Sequence, residues 1–147
     1  SGMLQEVGCD CVEVSSGIAN DGFATIRVRE LPTEAILEWS SMTQGKGDLT
    51  KKALSWILPF MVGTYGPLEN FNVCQAKQIK EAVDIPVIVV GGLRNMEDIN
   101  NVFRLGAADF VSLGRPLLTE PGFVNKLKND DTHRSQCIEC GYCICRL

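Results

Sequence analysis

Apolar residues recur along this chain at two spacings, and the switches between them mark its elements. Met3, Leu4 and Val7 share a helical spacing, and Gly8 follows where a C′ glycine would end the helix. Asp10-Cys11-Val12-Glu13-Val14 reads as a short strand that leaves into Ser15-Ser16-Gly17. The chain is therefore expected to open in the last turns of a helix. Residues 18–70 are the least regular. Pro32-Thr33-Glu34 starts a helix reaching about Trp39, with Ala35, Ile36 and Trp39 on one face, and Gln44 to Asp48 breaks it. Leu49 to Met61 resumes the helical pattern through Leu54, Ile57 and Leu58, and Gly63 to Pro67 is a loop. This stretch is expected to be a lid or a helix packed on a partner.

The pattern sharpens after Glu69. Val73, Ala76, Ile79 and Val83 predict an amphipathic helix from near Asn70 that ends at Asp84. Ile85-Pro86-Val87-Ile88-Val89-Val90 is apolar at every position, as a parallel strand buried on both faces would be, with Pro86 at its entrance. Gly91-Gly92-Leu93-Arg94 is a tight turn. Asn95 then caps a helix that buries Met96, Ile99, Val102 and Phe103 and stops at Gly106, with Asp98 at the third helical position. Asp109-Phe110-Val111-Ser112-Leu113 is the next strand, and Pro121 starts a short helix ending near Asn129.

A helix ending in Gly, an Asp, a hydrophobic strand and an exit into Gly or Ser occur at Gly8/Asp10 and again at Gly106/Asp109. Strand–helix–strand alternation with short connections means parallel βα units. The fold class is α/β, with three parallel strands of a partial (β/α)8 (TIM) barrel. A closed barrel of that kind takes about 250 residues, and this chain has 147. Residues 1–128 are read as the barrel portion, with 18–70 as a helical insertion and 129–147 as a Cys-rich tail. Two unpaired sheet edges and an open barrel interior predict self-association.

Composition narrows the function. The net charge of −4 shows no basic stripe, which argues against a nucleic-acid partner. No apolar run approaches the ~18 residues of a membrane span, and Ser1-Gly2-Met3 begins nothing like a signal peptide. With seven cysteines, four of them crowded into the last eleven residues, the thiols are expected to be reduced and the protein cytoplasmic.

Two strand ends carry candidate chemistry. Gly91-Gly92 follows one strand and Gly114-Arg115 the next. Adjacent glycine turns at the carboxyl ends of parallel strands aim backbone N–H groups at one point, where no Cβ obstructs a phosphate. The helix after Asn95 and the turn after Pro116 add positive dipole ends, and Arg115 brings a guanidinium of matching geometry. The bland alternative is tight turns and an Arg paired to a carboxylate. Ser16 and Gly17 would line the same mouth, or merely form a turn. Glu13 points either into the barrel or toward a helix. His133, the sole histidine, is expected in a solvated loop or as a ligand beside the cysteines. Cys137, Cys140 and Cys143 are spaced C-x2-C-x2-C, with Cys145 close behind, the opening of an iron–sulfur or zinc site or else an oxidisable tail.

The blocks Asp10 to Gly17, Ile85 to Gly92 and Asp109 to Leu118, in this order, resemble the C-terminal part of the Old Yellow Enzyme family of NADH:flavin oxidoreductases. The resemblance makes them the sixth, seventh and eighth strands of an FMN-binding barrel. It implies that Gly91, Gly92, Gly114 and Arg115 hold the FMN phosphate. It also implies that Cys137, Cys140 and Cys143 belong to the 4Fe-4S motif of the dienoyl-CoA reductase branch, from which the tighter spacing departs. The parent enzyme would use NAD(P)H to reduce an activated C=C bond of a small unsaturated substrate. No catalytic residue of the family falls on this chain, which alone is expected to be inactive. The competing reading is a non-catalytic phosphate- or metal-binding or assembly module.

Overall fold

A computed structural model of the chain describes residues 2–15, 27–29, 32–39, 43, 45–61 and 68–145. It divides into two compact units, Ser1–Ser16 with Glu69–Cys137 and Gly17–Leu68 with Ile138–Leu147.

The first unit is built on a three-stranded parallel sheet, β1 (Val12–Val14), β2 (Val87–Val90) and β3 (Phe110–Ser112), with β2 in the middle. Val12 pairs with Val87, and Val90 pairs with Ser112. This register puts Val12, Val14, Val87, Val89 and Val111 on one face. Against that face lie Val73, Ala76 and Ile79 of one helix and Ile99 and Val102 of another. Val87 and Val89 are wholly buried, and each contributes ~1.5–3 kcal/mol on burial. The opposite face holds Glu13, Ile88, Val90, Phe110 and Ser112; Glu13 is exposed, Ile88 and Val90 are half-buried, and Phe110 is 58% exposed. The sheet is thus open, a partial TIM-barrel-like segment whose helix-facing side carries the core.

The helix α1 (Gly2–Glu6) leads into β1. Gly8 follows with φ +86°, the left-handed cap its position predicts. Two further helices are those anticipated before and after β2. The first, α4 (Val73–Lys80), starts three residues later than expected because Asn70 takes φ +53° and Asn72 stands at its N-cap. The second, α5 (Met96–Arg104), is capped as predicted: Asn95 Oδ1 accepts from the Asp98 N–H at 2.7 Å. Asp98 in return accepts from the Arg94 N–H at 3.1 Å and from Asn70 Nδ2 at 2.9 Å, so it braces the chain before the cap. Phe103, expected on the buried face, is 46% exposed, since Val102 occupies the position facing the sheet. Gly106 ends α5 with φ +60°. The Asp that follows locks the sheet, since Asp109 Oδ2 accepts from the Val87 N–H at 2.8 Å and pairs with Lys80 Nζ at 2.8 Å. These donors, Lys80 foremost, hold its carboxyl below the usual value despite partial burial. Beyond β3 come α6 (Arg115–Thr119), a short helix where the sequence predicts a turn, and α7 (Phe123–Asn129).

In the second unit α2 (Thr33–Trp39) and α3 (Asp48–Met61) join through Ile36 and Leu58, with Leu37 and Leu54 beside them. Thr43 Oγ donates to the Leu37 carbonyl at 2.8 Å, closing the end of α2. The cysteine segment folds here too, and α8 (Tyr142–Cys145) touches α2. The Arg29 N–H donates to the Glu139 carbonyl at 3.1 Å, and Arg29 pairs with the buried Glu139 carboxylate at 3.6 Å. Gly141 lies so close to Val28 that a Cβ there would stand 2.7 Å from Val28 Cγ1. Residues 139–141 are therefore packed structure.

Gly91 has φ +138°, and a Cβ on it would meet Phe71 Cε2 at 2.5 Å. Gly91→Ala should lower stability by about 2–4 kcal/mol through left-handed strain and the ring clash together, read from urea unfolding. Adding Phe71→Ala should return the clash part alone, so the double variant should lose clearly less stability than the sum of the two single losses.

Candidate functional site

The parallel pairing of Val90 with Ser112 brings two chain exits to one edge of the sheet, neighbouring strands being about 4.8 Å apart. Gly91-Gly92 leaves β2 there, and Leu113-Gly114-Arg115 leaves β3. The sequence places these residues together, and the structure does the same.

The three glycines are not equivalent. Gly91 is needed by the fold, because Phe71 and the Asn72 amide fill the space a side chain would take, and Asn72 Nδ2 donates to the Val90 carbonyl. Gly92 has φ +72°, and its carbonyl accepts from the Asn70 N–H at 3.3 Å. Gly114 has φ −98°, and a Cβ on it would meet nothing within 4 Å. Among the described residues, its missing side chain serves no packing. Arg115, half-buried, is the first residue of α6, with Pro116 buried behind it. Ser16 and Gly17 lie outside the described residues.

Arg94 and Glu120 are the polar residues that sequence reasoning passes over, and both act on the segment before the cysteines. Arg94 exchanges two hydrogen bonds with Ser135: the Ser135 N–H donates to the Arg94 carbonyl at 2.8 Å, and Arg94 Nη2 donates to the Ser135 carbonyl at 3.1 Å. The same Nη2 donates to the Cys137 carbonyl. Asn95 and Arg134 form an antiparallel bridge, and Glu69 receives both Arg94 and Arg134. Glu120, almost wholly buried, accepts from Lys126 Nζ at 2.6 Å, from the Gln136 N–H at 2.7 Å and pairs with His133 Nε2 at 3.0 Å. The one sequence signal for Glu120 is its place between two helices. His133 is accordingly no solvated loop residue: its ring also packs on Phe123, 5.8 Å between centroids.

The described cysteines, Cys137, Cys140 and Cys143 among them, carry free thiols. Cys137 closes the first unit, whereas Cys140 and Cys143 belong to the second; the side chain of Cys145 lies outside the described residues. Among the described residues no three His, Cys, Asp or Glu side chains converge as a metal would need, so they do not by themselves fit a cluster. Among the same residues no helix is long and apolar enough to cross a membrane.

Comparison with known proteins gives two kinds of match. The family model described as Histidine biosynthesis protein matches residues 3–130. The chain is 31% identical over 86 residues to 4,4'-dithiodibutanoate disulfide reductase of Rhodococcus erythropolis, covering 58% of this chain and 21% of that protein. It is 37% identical over 73 residues to an NADH oxidase of Thermoanaerobacter brockii, covering 49% of this chain and 11% of that one. It is 34% identical over 64 residues to imidazole glycerol phosphate synthase subunit HisF of Proteus mirabilis, covering 44% and 24%. The chain thus spans a quarter or less of the length of these relatives. No solved structure matches it.

Bonding to Lys126 first, then to the Gln136 N–H and His133, outweighs burial and holds the Glu120 carboxyl down to about 2, against an ordinary 4.5. A depressed folded-state value adds stability above the unfolded pKa, and this is lost as pH falls from about 4.5 toward 2. Urea midpoints should therefore drop more steeply on acidification in the parent than in Glu120→Gln, whose curve should be flatter across that window.

Proposed function

Since the chain belongs to the histidine biosynthesis protein family, a family it enters as a partial TIM-barrel segment, we propose that the exits of β2 and β3 form a phosphate-ester site. We propose further that the ester is FMN, in an NAD(P)H-dependent oxidoreductase of the Old Yellow Enzyme type. The observation that carries the phosphate reading is the Val90–Ser112 pairing, which sets both glycine turns on one edge. Gly114 supports it, being a glycine with open space where its side chain would be.

The residues present fit a phosphate. Gly92 and Gly114 offer backbone without a Cβ, and Arg115, rooted beside buried Pro116, offers a forked guanidinium that matches phosphate oxygens. Phe71 and the Asn72 amide fill the space beside Gly91 and so hold the form of the turn. When bound, FMN supplies hydride transfer from a nicotinamide to an unsaturated substrate. Anchoring and orientation are the part assigned to this chain. The similarity to the NADH oxidase and the disulfide reductase supports the redox reading.

A second reading has its own support. The family match and the likeness to a subunit whose name declares a glycerol phosphate favour a phosphorylated metabolite in place of FMN.

Fluorescence titration separates the two. FMN should bind and riboflavin, which lacks the phosphate, at least tenfold more weakly. Arg115→Gln should weaken FMN about ten- to a hundredfold, the loss of a charge-assisted contact worth ~1.5–3 kcal/mol. Equal affinity for FMN and riboflavin would sink the phosphate assignment. Binding of glycerol phosphate without FMN would transfer the site to the second reading.

A further inference from the structure

We infer that Arg94 is a positioning residue that ties the β2 exit turn to Cys137, so that occupancy of the turn is felt at that thiol. The coupling half rests on the phosphate site proposed above; the positioning half does not. Residues 134–137 run as a strap across the start of α5. The strap is held by the Asn95–Arg134 bridge, the paired Arg94–Ser135 bonds, Glu120 on the Gln136 N–H and Arg94 Nη2 on the Cys137 carbonyl. Arg94 supplies three of these bonds, and its guanidinium is mostly buried and also pairs with Glu69 at 3.7 Å.

The same residue ends the glycine turn. Its N–H is fixed by Asp98 at 3.1 Å, two residues after Gly92, whose carbonyl is held by Asn70. Asn70 and Asp98 are themselves bonded at 2.9 Å. Turn and strap therefore share one backbone residue, and neither can shift far without moving the other. One guanidinium nitrogen, Nη2, serves both carbonyls while Nη1 faces Glu69, so the planar group holds the strap and the carboxylate together in a fixed geometry that a single-point ammonium does not reproduce. If a ligand binds only while the turn keeps this form, it stabilises the strapped state and slows the opening that exposes Cys137.

Residue-resolved alkylation of the whole chain by iodoacetamide, read by mass spectrometry, tests this. Exposed Cys74 on α4 serves as the internal reference. Arg94→Gln should raise the Cys137 rate at least fivefold with Cys74 unchanged, and Arg94→Lys should fall between. A general loosening would raise half-buried Cys9 of the same unit as well and overturn the positioning role, as would an unchanged Cys137. If Arg94→Gln does not fold, Arg94→Lys carries the comparison. With FMN at ten times its Kd, Cys137 in the parent should slow up to about tenfold, and in Arg94→Gln it should not respond. FMN that binds without slowing Cys137 overturns the coupling and leaves the phosphate site standing. If neither FMN nor glycerol phosphate binds, the phosphate reading and the coupling fail together, while a raised Cys137 rate in Arg94→Gln still upholds the positioning role.

Discussion

Parallel pairing of β2 on both sides governs the first unit. Its register decides which valines face the helices, and Val87 and Val89 supply the two wholly buried side chains of the sheet. The strand is only four residues long, so its start cannot be left to backbone pairing alone. Asp109, from the neighbouring strand's entrance, takes the Val87 N–H while its own N–H donates to the Val87 carbonyl at 2.8 Å. Alignment at one end of β2 fixes which residues emerge together at the other. The location of the candidate site is thus a consequence of the register.

The helices around this sheet are legible in the sequence because their signals are local. Asn95 as a cap, Gly8 and Gly106 as left-handed ends, and the Val73–Ala76–Ile79 spacing each depend on residues within a turn or two. The strands are found but drawn too long, since Cys11 and Leu113 continue the pattern without continuing the ladder. Phe103 shows the limit of periodicity: its neighbour Val102 already fills the sheet-facing position, and a larger ring beside it stays outside.

The site is half legible for the same reason. Two glycine exits and an arginine can be read one unit apart in sequence. That Gly91 answers to Phe71, twenty positions earlier, cannot. Nor can the reach of Arg94 to Ser135 and Cys137, which joins residues more than forty apart through carbonyls that carry no side-chain signature. His133 escapes the sequence pattern because a polar run hides a buried partner: the Glu120 carboxylate draws Lys126, His133 and the Gln136 N–H onto itself.

Phe71 beneath Gly91 gives the turn a closed side and an open one. With the ring seated where a Cβ would be, the turn cannot sink toward α4 to wrap around a guest. On the side of β3, by contrast, a Cβ on Gly114 would meet nothing within 4 Å among the described residues. The aromatic ring thus acts as a floor that keeps the turn shallow on that flank.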